Sequence, residues 1–377
     1  MTGFHPIQCI IPPHMLQEIA ERGSAEQREW ALRTLMLSAQ FRGQRNTLAE
    51  AALVAPAAAP GKHRTVYNAD NGTTLPGRMM RDEGDPATGD VAVDEAYDGS
   101  GATYDLYMDI YGRNSIDGNG LKLESTVHYG QGYDNAFWNG TQMVYGDGDE
   151  DLPPAQRLFN RFTAAIDVIG HELTHGVTQY EARLVYWEQP GALNESMSDV
   201  FGALVKQRTL NQTARQADWI IGAGLFTANV HGVGIRSMKE PGTAYDDPIL
   251  GKDPQPGHMK DYKQVSYDNG GVHINSGIPN RAFYIAAYEM NGYAWEKAGR
   301  IWYIALRDQM AANSNFQAAA QITYKVAGEL YGANSLEQQA VRKGWAEVGI
   351  NVEAGGCGEL LAALFKAVVM RPATTSS

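Results

Sequence analysis

The sequence predicts an α+β fold of two lobes, preceded by a small helical unit, and three observations support this. Residues 64–148 alternate short apolar runs with turn signals such as Asp98-Gly99-Ser100-Gly101 and Asp117-Gly118, which is typical of strands. After Gln156 the apolar residues recur with helical spacing over long segments. The alanine- and proline-rich residues 51–61 have no apolar period and separate the first fifty residues from the rest.

The N-terminal unit begins with an extended stretch, Ile10-Ile11, and continues as two helices. We expect these helices over residues 13–21 and 24–41, with Glu26 near the start of the second as in a capping box. Beyond the strand-rich part the same reasoning predicts helices at residues 156–180, 193–209, 277–290, 294–310, 315–332 and 335–347. The chain therefore divides into an N-terminal unit (1–50), a linker (51–63), a β-rich lobe (64–180), an α-helical lobe (181–350) and a C-terminal extension (351–377).

The composition is that of a globular protein of 377 residues, and its charge argues against two classes of partner. The chain has 31 basic and 43 acidic residues, and the net charge of −12 argues against nucleic acid and anionic membranes. The sequence has no stretch that reaches the ~20 apolar residues of a membrane span. We expect a monomer that acts on peptides or proteins rather than on these partners.

Cysteine usage and the first residues bear on the compartment. Only Cys9 and Cys357 are present, which excludes a disulfide framework and leaves a single long-range bridge unsupported. The opening residues lack the basic region and the apolar run of a secretory signal. We expect a protein that is either cytoplasmic or exported by a non-standard route, with export favoured.

The strongest chemical signal is the motif HELTH at residues 171–175. On a helix, His171 and His175 lie about 40° apart around the axis and one turn along it, so both imidazoles can reach one metal ion. Glu195 follows in the motif ALNESMSD and can complete the ligand set from a second helix. Three protein ligands with an open fourth position are typical of catalytic zinc sites.

Three polar residues next to these ligands complete the predicted zinc site. Glu172 projects from the adjoining stripe of the helix, where it can reach a metal-bound water without ligating the metal, and we expect it to be the general base. Asn194 and Asp199 flank Glu195 and are placed to orient the imidazole ligands and fix their tautomers. Because zinc lowers the pKa of bound water to about 7, such a site provides a nucleophile at neutral pH.

The stretch DVIGHELTHGVTQYEARLVYWEQPGALNESMSDVFG, at residues 167–202, resembles the thermolysin-type metallopeptidases. Three further motifs extend the resemblance over roughly residues 66–350: YDNAFWNG from Tyr133, IRSM from Ile235 and DNGGVHINSG from Asp268. Several long motifs in one order are far more specific than the zinc signature alone. The resemblance implies a two-lobed catalytic domain, with a β-rich N-terminal lobe, an α-helical C-terminal lobe and the zinc-ligand helix between them.

The resemblance also implies roles for residues outside the zinc motif. His273 and Tyr186 would lie across the cleft and donate hydrogen bonds to the oxyanion, and Asp268 would hold His273 in position. Five residues would bind substrate. Asn135 and Ala136 pair with its backbone, Arg236 grips the carbonyl after the scissile bond, and Val168 and Ile235 form an apolar pocket wall. These residues predict cleavage on the N-terminal side of large hydrophobic residues.

One departure from the thermolysin pattern concerns its double calcium site. Asp167 and Asp218 stand at matching places, but Lys206, Ile220 and Ala223 occupy positions where carboxylates are expected. Calcium requires six to eight oxygen ligands, several of them usually charged, and Lys206 would place a cation in the site. We therefore predict that calcium does not bind there, as in the protealysin-like branch of the family.

The N-terminal unit resembles the short propeptide of that same branch. Pro12, Pro13 and Leu16 match its Pro-Pro-x-x-Leu element, and the resemblance implies that this element plugs the substrate cleft. Two prolines restrict the unbound backbone, and a leucine offers an apolar anchor. Cleavage is expected within residues 45–60. Two alternatives remain open: an N-terminal subdomain without a regulatory role, and ligation of zinc by the thiolate of Cys9.

These observations predict a zinc endopeptidase precursor that binds one catalytic zinc ion and holds its own propeptide in the cleft. A zinc-binding pseudoenzyme or scaffold is one alternative, but such a protein would not need Glu172, His273 and Tyr186. A zinc aminopeptidase is the other, but it would need an acidic anchor for the substrate amine. The cleft motifs favour pairing with substrate backbone on both sides of the bond.

Overall fold

The computed structural model describes residues 8–52 and 61–352. Residues 353–377, which include Cys357 and most of the predicted C-terminal extension, lie outside these ranges, as do residues 53–60 of the predicted linker. Within the described ranges, every helix is too short or too polar to cross a membrane.

A six-stranded mixed sheet forms the β-rich part of the first lobe. Its strands are β1 (Gln8–Cys9), β2 (Arg64–Asn68), β3 (Arg78–Asp82), β4 (Leu123–Val127), β5 (Ala136–Trp138) and β6 (Met143–Tyr145). The order across the sheet is β1-β5-β6-β4-β2-β3, with parallel pairs β6–β4 and β4–β2 and antiparallel pairs elsewhere. The N-terminal unit thus supplies one edge strand to the sheet of the lobe that follows it.

A helix within residues 64–148 was not predicted. Helix α3 spans Val91–Asp105, and the side chain of Asp90 caps it by accepting hydrogen bonds from the next backbone amides. The segment Asp98–Gly101, interpreted from the sequence as a turn, lies inside α3, so that interpretation is wrong. The small residues serve packing instead, since a Cβ added at Gly99 would overlap the side chain of Ile169.

Two further helices carry the residues of the HELTH and ALNESMSD motifs. Helix α4 spans Ile166–Tyr180 and helix α5 spans Glu188–Thr209. The predicted helix start at Gln156 is wrong, because only short 3₁₀ turns precede Ile166. The helices pack closely at a glycine pair, where a Cβ added at Gly170 would lie 3.1 Å from Gly202 Cα.

The second lobe is helical, as the sequence predicts. Its helices are α6 (Asp268–Asn275), α7 (Gly277–Met290), α8 (Ala298–Ile304), α9 (Phe316–Tyr331) and α10 (Leu336–Glu347). The boundaries predicted for α7 are confirmed, while α8 begins four residues after the predicted start at 294 and continues as a π-helical turn, Ala305–Gln309. Two short antiparallel ribbons pair β7 (Ile220–Ile221) with β8 (Arg236–Ser237), and β9 (Asp246–Asp247) with β10 (Gly251–Lys252).

The N-terminal unit contains two helices, α1 (Pro13–Arg22) and α2 (Ala25–Ala52). Helix α2 runs well past the predicted end at residue 41. Its start is a capping box made by Ser24 with Gln27, rather than with Glu26 as predicted: Ser24 N donates to Gln27 Oε1 at 2.7 Å, and Gln27 N donates to Ser24 Oγ at 3.3 Å.

Contacts from α2 reach the loop before β5. A Cβ added at Gly132 would overlap the ring of Trp30, and Asp134 N donates to Thr34 Oγ1 at 3.0 Å. Ser38 Oγ lies 3.3 Å from the hydroxyl of Tyr133. Helix α2 of the N-terminal unit therefore packs on the segment that leads directly into β5.

His128, directly after β4, links the sheet to the start of α3. Its Nδ1 lies 2.8 Å from Asp147 Oδ2, and its Nε2 lies 3.1 Å from Oδ2 of Asp90, the capping residue of α3. The hydrogen bond to Asp147 is the main cause that raises the pKa of His128 to about 9, against the opposing effect of burial.

The pKa of His128 predicts a pH-dependent stability. Since it is raised from 6.5 to about 9 in the folded protein, the imidazolium contributes stability that is complete below pH 6.5 and is lost as the pH rises through about 9. We expect the melting temperature to fall over this interval, and to fall less in His128→Gln. His231→Gln, at an exposed histidine, is the control. An unchanged pH dependence in His128→Gln would contradict the assignment.

Candidate metal centre and substrate cleft

Three buried side chains from α4 and α5 converge on one point. His171 Nε2 lies 3.0 Å from His175 Nε2 and 3.6 Å from Glu195 Oε2, and His175 Nε2 lies 3.4 Å from Glu195 Oε1. Four ligands at the usual zinc–nitrogen distance of about 2.0–2.1 Å in a tetrahedron are about 3.3 Å apart. Each imidazole nitrogen is thus close to this distance from the other and from one of the two Glu195 oxygens. The three side chains therefore fit a tetrahedral zinc ion, and among the described residues they form the one group of this kind.

The hydrogen bonds of the two histidines hold their Nε2 atoms toward this point. His171 Nδ1 lies 2.8 Å from Asp199 Oδ1, and His175 Nδ1 lies 2.8 Å from Asn194 Oδ1 and 2.9 Å from Ser198 Oγ. An imidazole that donates from Nδ1 presents a lone pair at Nε2, which is the form that binds a metal. Ser198 was not singled out from the sequence, although it shares a helix face with Asn194.

Asp199 also joins the metal centre to the cleft arginine. Arg236 Nε and Nη2 donate to its two oxygens at 2.8 and 2.7 Å, and Asn280 Nδ2 donates to Oδ2 at 2.8 Å. Burial opposes ionisation of this carboxyl, but Arg236 and His171 hold its pKa well below the usual range. Asn280, on α7, was missed in the sequence because nothing local distinguishes it from other asparagines.

A second histidine group faces the metal-ligand atoms. His273 Nε2 lies 3.2 Å from the hydroxyl of Tyr186, which itself donates to Glu195 Oε1, and 3.5 Å from Glu195 Oε2. Asp268 holds the other side of the ring, with Oδ1 at 2.5 Å from His273 Nδ1. Burial alone would lower the pKa of His273, but the carboxylates of Glu195 and Asp268 outweigh it and raise that pKa to about 9.

Glu172, which follows His171 on α4, is fully buried. One of its oxygens, Oε2, accepts a hydrogen bond from Trp138 N of β5 at 3.1 Å. This bond fixes the carboxylate between helix α4 and strand β5. Val168 and Ile235, predicted to form the pocket wall, are buried in the main hydrophobic core, which also contains Ile10.

The N-terminal unit lies in the cleft through β1 and the two residues after it. Arg236 Nη1 donates to the carbonyl of Ile10 at 3.1 Å, and His273 Nε2 lies 3.0 Å from the carbonyl oxygen of Cys9. Asn135 binds both backbone groups of Ile11, accepting from its amide at 3.0 Å and donating to its carbonyl at 3.3 Å. The residues predicted to bind a substrate backbone thus bind this chain's own backbone.

The predicted plug residues follow this segment. Pro12 and Pro13 start α1, and Leu16 is buried on the face of α1 that packs into the core. The cleft hydrogen bonds come from Cys9, Ile10 and Ile11, the three residues before Pro12. The side chain of Cys9 lies in an aromatic cluster with Tyr129, Tyr133, Phe137 and Val144 rather than in the metal-ligand group.

Lys206 lies where the family's double calcium site is predicted to be lost. Its ammonium lies 2.9 Å from Asp167 Oδ2 and 3.0 Å from Asp218 Oδ1, and it also donates to the carbonyl of Ile220. The two carboxylates outweigh the effect of burial and raise the pKa of Lys206. A cation tethered to the chain therefore sits among these oxygens.

Comparison with known families assigns most of the chain. Residues 46–179 match the thermolysin metallopeptidase catalytic domain, and residues 182–350 match the thermolysin metallopeptidase alpha-helical domain. Residues 8–37 match the protealysin propeptide. Together these matches bear out the predicted resemblance and the predicted fold class, a two-lobed thermolysin-like domain preceded by a helical propeptide.

Individual relatives agree with this assignment. An extracellular metalloprotease of Pectobacterium carotovorum subsp. carotovorum is 50% identical over 348 residues, which cover 92% of this chain and 97% of that protein. A thermolysin of Alicyclobacillus acidocaldarius subsp. acidocaldarius is 40% identical over 75% of this chain and 50% of its own length. The solved precursor of protealysin from Serratia proteamaculans superposes with a TM-score of 0.82 at 52% identity, covering 91% of this chain and 99% of that one.

The ligand geometry predicts one zinc ion per chain. Metal analysis of protein purified in zinc-containing buffer should give a ratio near one, and Glu195→Ala should lower it because a metal with two protein ligands binds more weakly. Glu188→Ala, in the first turn of the same helix, is the control and should keep the metal. A ratio near zero in the wild type, or full retention in Glu195→Ala, would refute the ligand set.

Proposed function

The chain belongs to the thermolysin metallopeptidase family, as a precursor with a protealysin-type propeptide, and we propose the residues and specificity by which its catalytic lobes cleave peptides. The proposed reaction is hydrolysis on the N-terminal side of large hydrophobic residues. The observation that carries this proposal is the position of His273 Nε2, which is 3.2 Å from Tyr186 and 3.5 Å from Glu195 of the ligand group. Hydrogen-bond donors and metal ligands therefore face the same small space.

Peptide hydrolysis needs an activated water, a stabilised oxyanion and a proton for the leaving amine. Zinc bound by His171, His175 and Glu195 would lower the pKa of water to about 7. Glu172 accepts a proton from the attacking water and passes it to the leaving nitrogen. Its buried position and its hydrogen bond from Trp138 N support this role, since they keep the carboxylate in one place during the transfer.

His273 and Tyr186 donate hydrogen bonds to the oxyanion as charge develops on the substrate carbonyl. The Asp268 carboxylate beside Nδ1 favours the imidazolium form of His273, in which the ring also donates from Nε2. Asp268 acts as a positioning residue, because its two oxygens accept from the ring Nδ1 and from the backbone amide of His273.

Substrate backbone binds to Asn135, Ala136 and Arg236 in this proposal. Arg236 is held by two hydrogen bonds to Asp199, so its remaining Nη1 donor points into the cleft in a fixed direction. The buried apolar residues Val168 and Ile235 belong to the core around this donor and favour a large hydrophobic residue after the scissile bond.

The propeptide inhibits the enzyme by occupying this cleft, in our proposal. The support is that Asn135 and Arg236, which would hold a substrate, already hold Ile10 and Ile11. Leu16 is 2% exposed and anchors α1 in the core next to this segment. Cleavage of the connection between α2 and the first lobe would then release the unit.

Calcium is not expected to bind at the family's double site. The ammonium of Lys206 already neutralises Asp167 and Asp218, and a divalent ion would have to displace it. We also propose that the protein acts outside the cell, because relatives that cover most of this chain are named extracellular metalloproteases.

Replacing Glu172 or His273 tests the catalytic roles. Glu172→Gln should keep the zinc but lose casein hydrolysis by several orders of magnitude, since an amide cannot accept the proton of water. His273→Ala should lower kcat by roughly 10²–10³, the effect of one oxyanion donor. Glu240→Gln, at an exposed carboxylate, is the control. Wild-type turnover of either variant would refute the role given to it, and the fragments of casein would show whether cleavage precedes hydrophobic residues.

Thermal unfolding tests the calcium prediction. A ligand present at a hundred times its Kd would add about 2.7 kcal/mol to the stability. We expect the melting temperature of the wild type to stay the same when calcium replaces magnesium in the buffer, because Lys206 occupies the site. A clear rise with calcium would show that other groups form a calcium site.

Leu16→Ala tests inhibition by the N-terminal unit. Loss of a buried leucine should weaken the docking of α1 by about 2–4 kcal/mol. The variant precursor should therefore mature faster or hydrolyse casein before it is trimmed. Leu32→Ala removes an exposed leucine from α2 of the same unit and should behave as the wild type. If the untrimmed wild type is as active as the trimmed enzyme, the unit is not an inhibitor.

A further inference from the structure

One peptide bond of the N-terminal unit lies at the centre of the cleft. The carbonyl oxygen of Cys9 is 3.0 Å from His273 Nε2, and the carbonyl oxygen of the next residue, Ile10, is 3.1 Å from Arg236 Nη1. His273 Nε2 is also 3.5 Å from Glu195 Oε2 of the metal-ligand group. The Cys9 carbonyl is therefore the one that faces the ligand atoms, and Arg236 binds the carbonyl that follows it.

The catalytic lobes hold this segment over five consecutive backbone polar groups. In chain order these are the Cys9 carbonyl, the Ile10 amide and carbonyl, and the Ile11 amide and carbonyl. The Ile10 amide donates to Ala136 O at 3.3 Å, and Asn135 binds both groups of Ile11. Because β1 also pairs antiparallel with β5, with Cys9 opposite Phe137, the direction and register of the segment are fixed.

The side chains around this bond suit hydrolysis of the bond itself. Ile10, a large hydrophobic residue, follows the bond and is fully buried in the main core. Cys9 precedes the bond and packs against Phe137 and Tyr133. The specificity proposed above, cleavage before a large hydrophobic residue, is thus met by this chain's own sequence.

We propose that the precursor hydrolyses its own Cys9–Ile10 bond within one molecule. This inference rests on the proposed function. The oxygen of a water molecule bonds to the Cys9 carbonyl carbon, and the carbon–nitrogen bond to Ile10 breaks. Glu172 takes a proton from the water and transfers it to the Ile10 nitrogen. The second proton of the water follows to the same nitrogen, so the products are a nine-residue peptide that ends in the Cys9 carboxylate and a chain that begins with the Ile10 ammonium group.

The chain that begins with Ile10 remains inhibited after this cut. Arg236 still binds the Ile10 carbonyl, Asn135 still binds Ile11, and helix α2 still packs through Trp30 and Thr34. The cut is therefore a separate event from the cleavage within residues 45–60 that would release the whole unit. After the cut, the new N-terminus at Ile10 stays in the cleft where the intact peptide bond lay. The protein therefore binds the product of its own hydrolysis.

Intact-mass measurement and N-terminal sequencing of the full chain test the proposal. Metal-free wild-type protein should remain whole, and after zinc is added it should lose its first nine residues and begin Ile10-Ile11-Pro12. The rate should be independent of protein concentration, because the bond is cut within one molecule. Glu172→Gln should remain whole with zinc. A rate that rises in proportion to concentration would contradict cleavage in cis.

Two variants at Ile10 separate specificity from misfolding. Ile10→Leu keeps a large hydrophobic residue and should still be cut, whereas Ile10→Asp should lose the cut because a carboxylate does not fit a buried apolar site. Amide hydrogen exchange of the metal-free Glu172→Gln protein gives a readout that needs no activity. The amides of Ile10 and Ile11 should exchange slowly, as the bonds to Ala136 and Asn135 require. Rapid exchange at both would overturn the register.

The outcomes distinguish this proposal from the function on which it rests. If the enzyme freed of its N-terminal unit digests casein but the Cys9–Ile10 bond of the zinc-loaded precursor stays intact, the self-cleavage is wrong and the peptidase function stands. If the freed enzyme does not digest casein and the precursor does not cut itself, both are overturned. Loss of residues 1–9 in the zinc-loaded wild-type precursor, together with casein digestion after the unit is released, supports both.

Discussion

The buried carboxylate of Asp199 is the group on which the rest of the site depends. It accepts hydrogen bonds from the metal-ligand residue His171, from both donors on one edge of Arg236 and from Asn280. Removing one partner of such a buried charged pair generally costs about 3–5 kcal/mol. Because one carboxylate orients both a proposed zinc ligand and the donor that binds the Ile10 carbonyl, it sets the positions of these two groups together.

The same fixed donors explain why the N-terminal unit binds where it does. Strand β5 would otherwise be an edge of the sheet, and edge strands present unpaired backbone groups that bind a further strand. The segment around Ile10 supplies that strand, and helix α2 supports it by packing on the loop at Gly132. In the proposed function, inhibition and substrate binding use one geometry, and the N-terminal unit must leave before a substrate enters.

The sequence allowed the metal centre and the family to be predicted because regular spacing on helices and long ordered motifs carry that information locally. Helix α3 was missed because Gly99 and its small neighbours have the composition of a turn, and only the close approach of Gly99 to Ile169 shows why a glycine stands there. Asn280 acts through a contact across the lobe, which one sequence does not reveal. The cleft contacts of Ile10 are made by backbone atoms, so its side-chain type gave no signal.

The central claim is that a three-ligand zinc site faces the backbone, and not the thiol, of the precursor's own N-terminal segment. A zinc anomalous difference map from crystals of the Glu172→Gln precursor tests it most directly. The account predicts a single peak about 2.0–2.2 Å from His171 Nε2, His175 Nε2 and a carboxylate oxygen of Glu195, with the Cys9 carbonyl facing it. A peak about 2.3 Å from the sulfur of Cys9, or an empty ligand group with the segment outside the cleft, would contradict it.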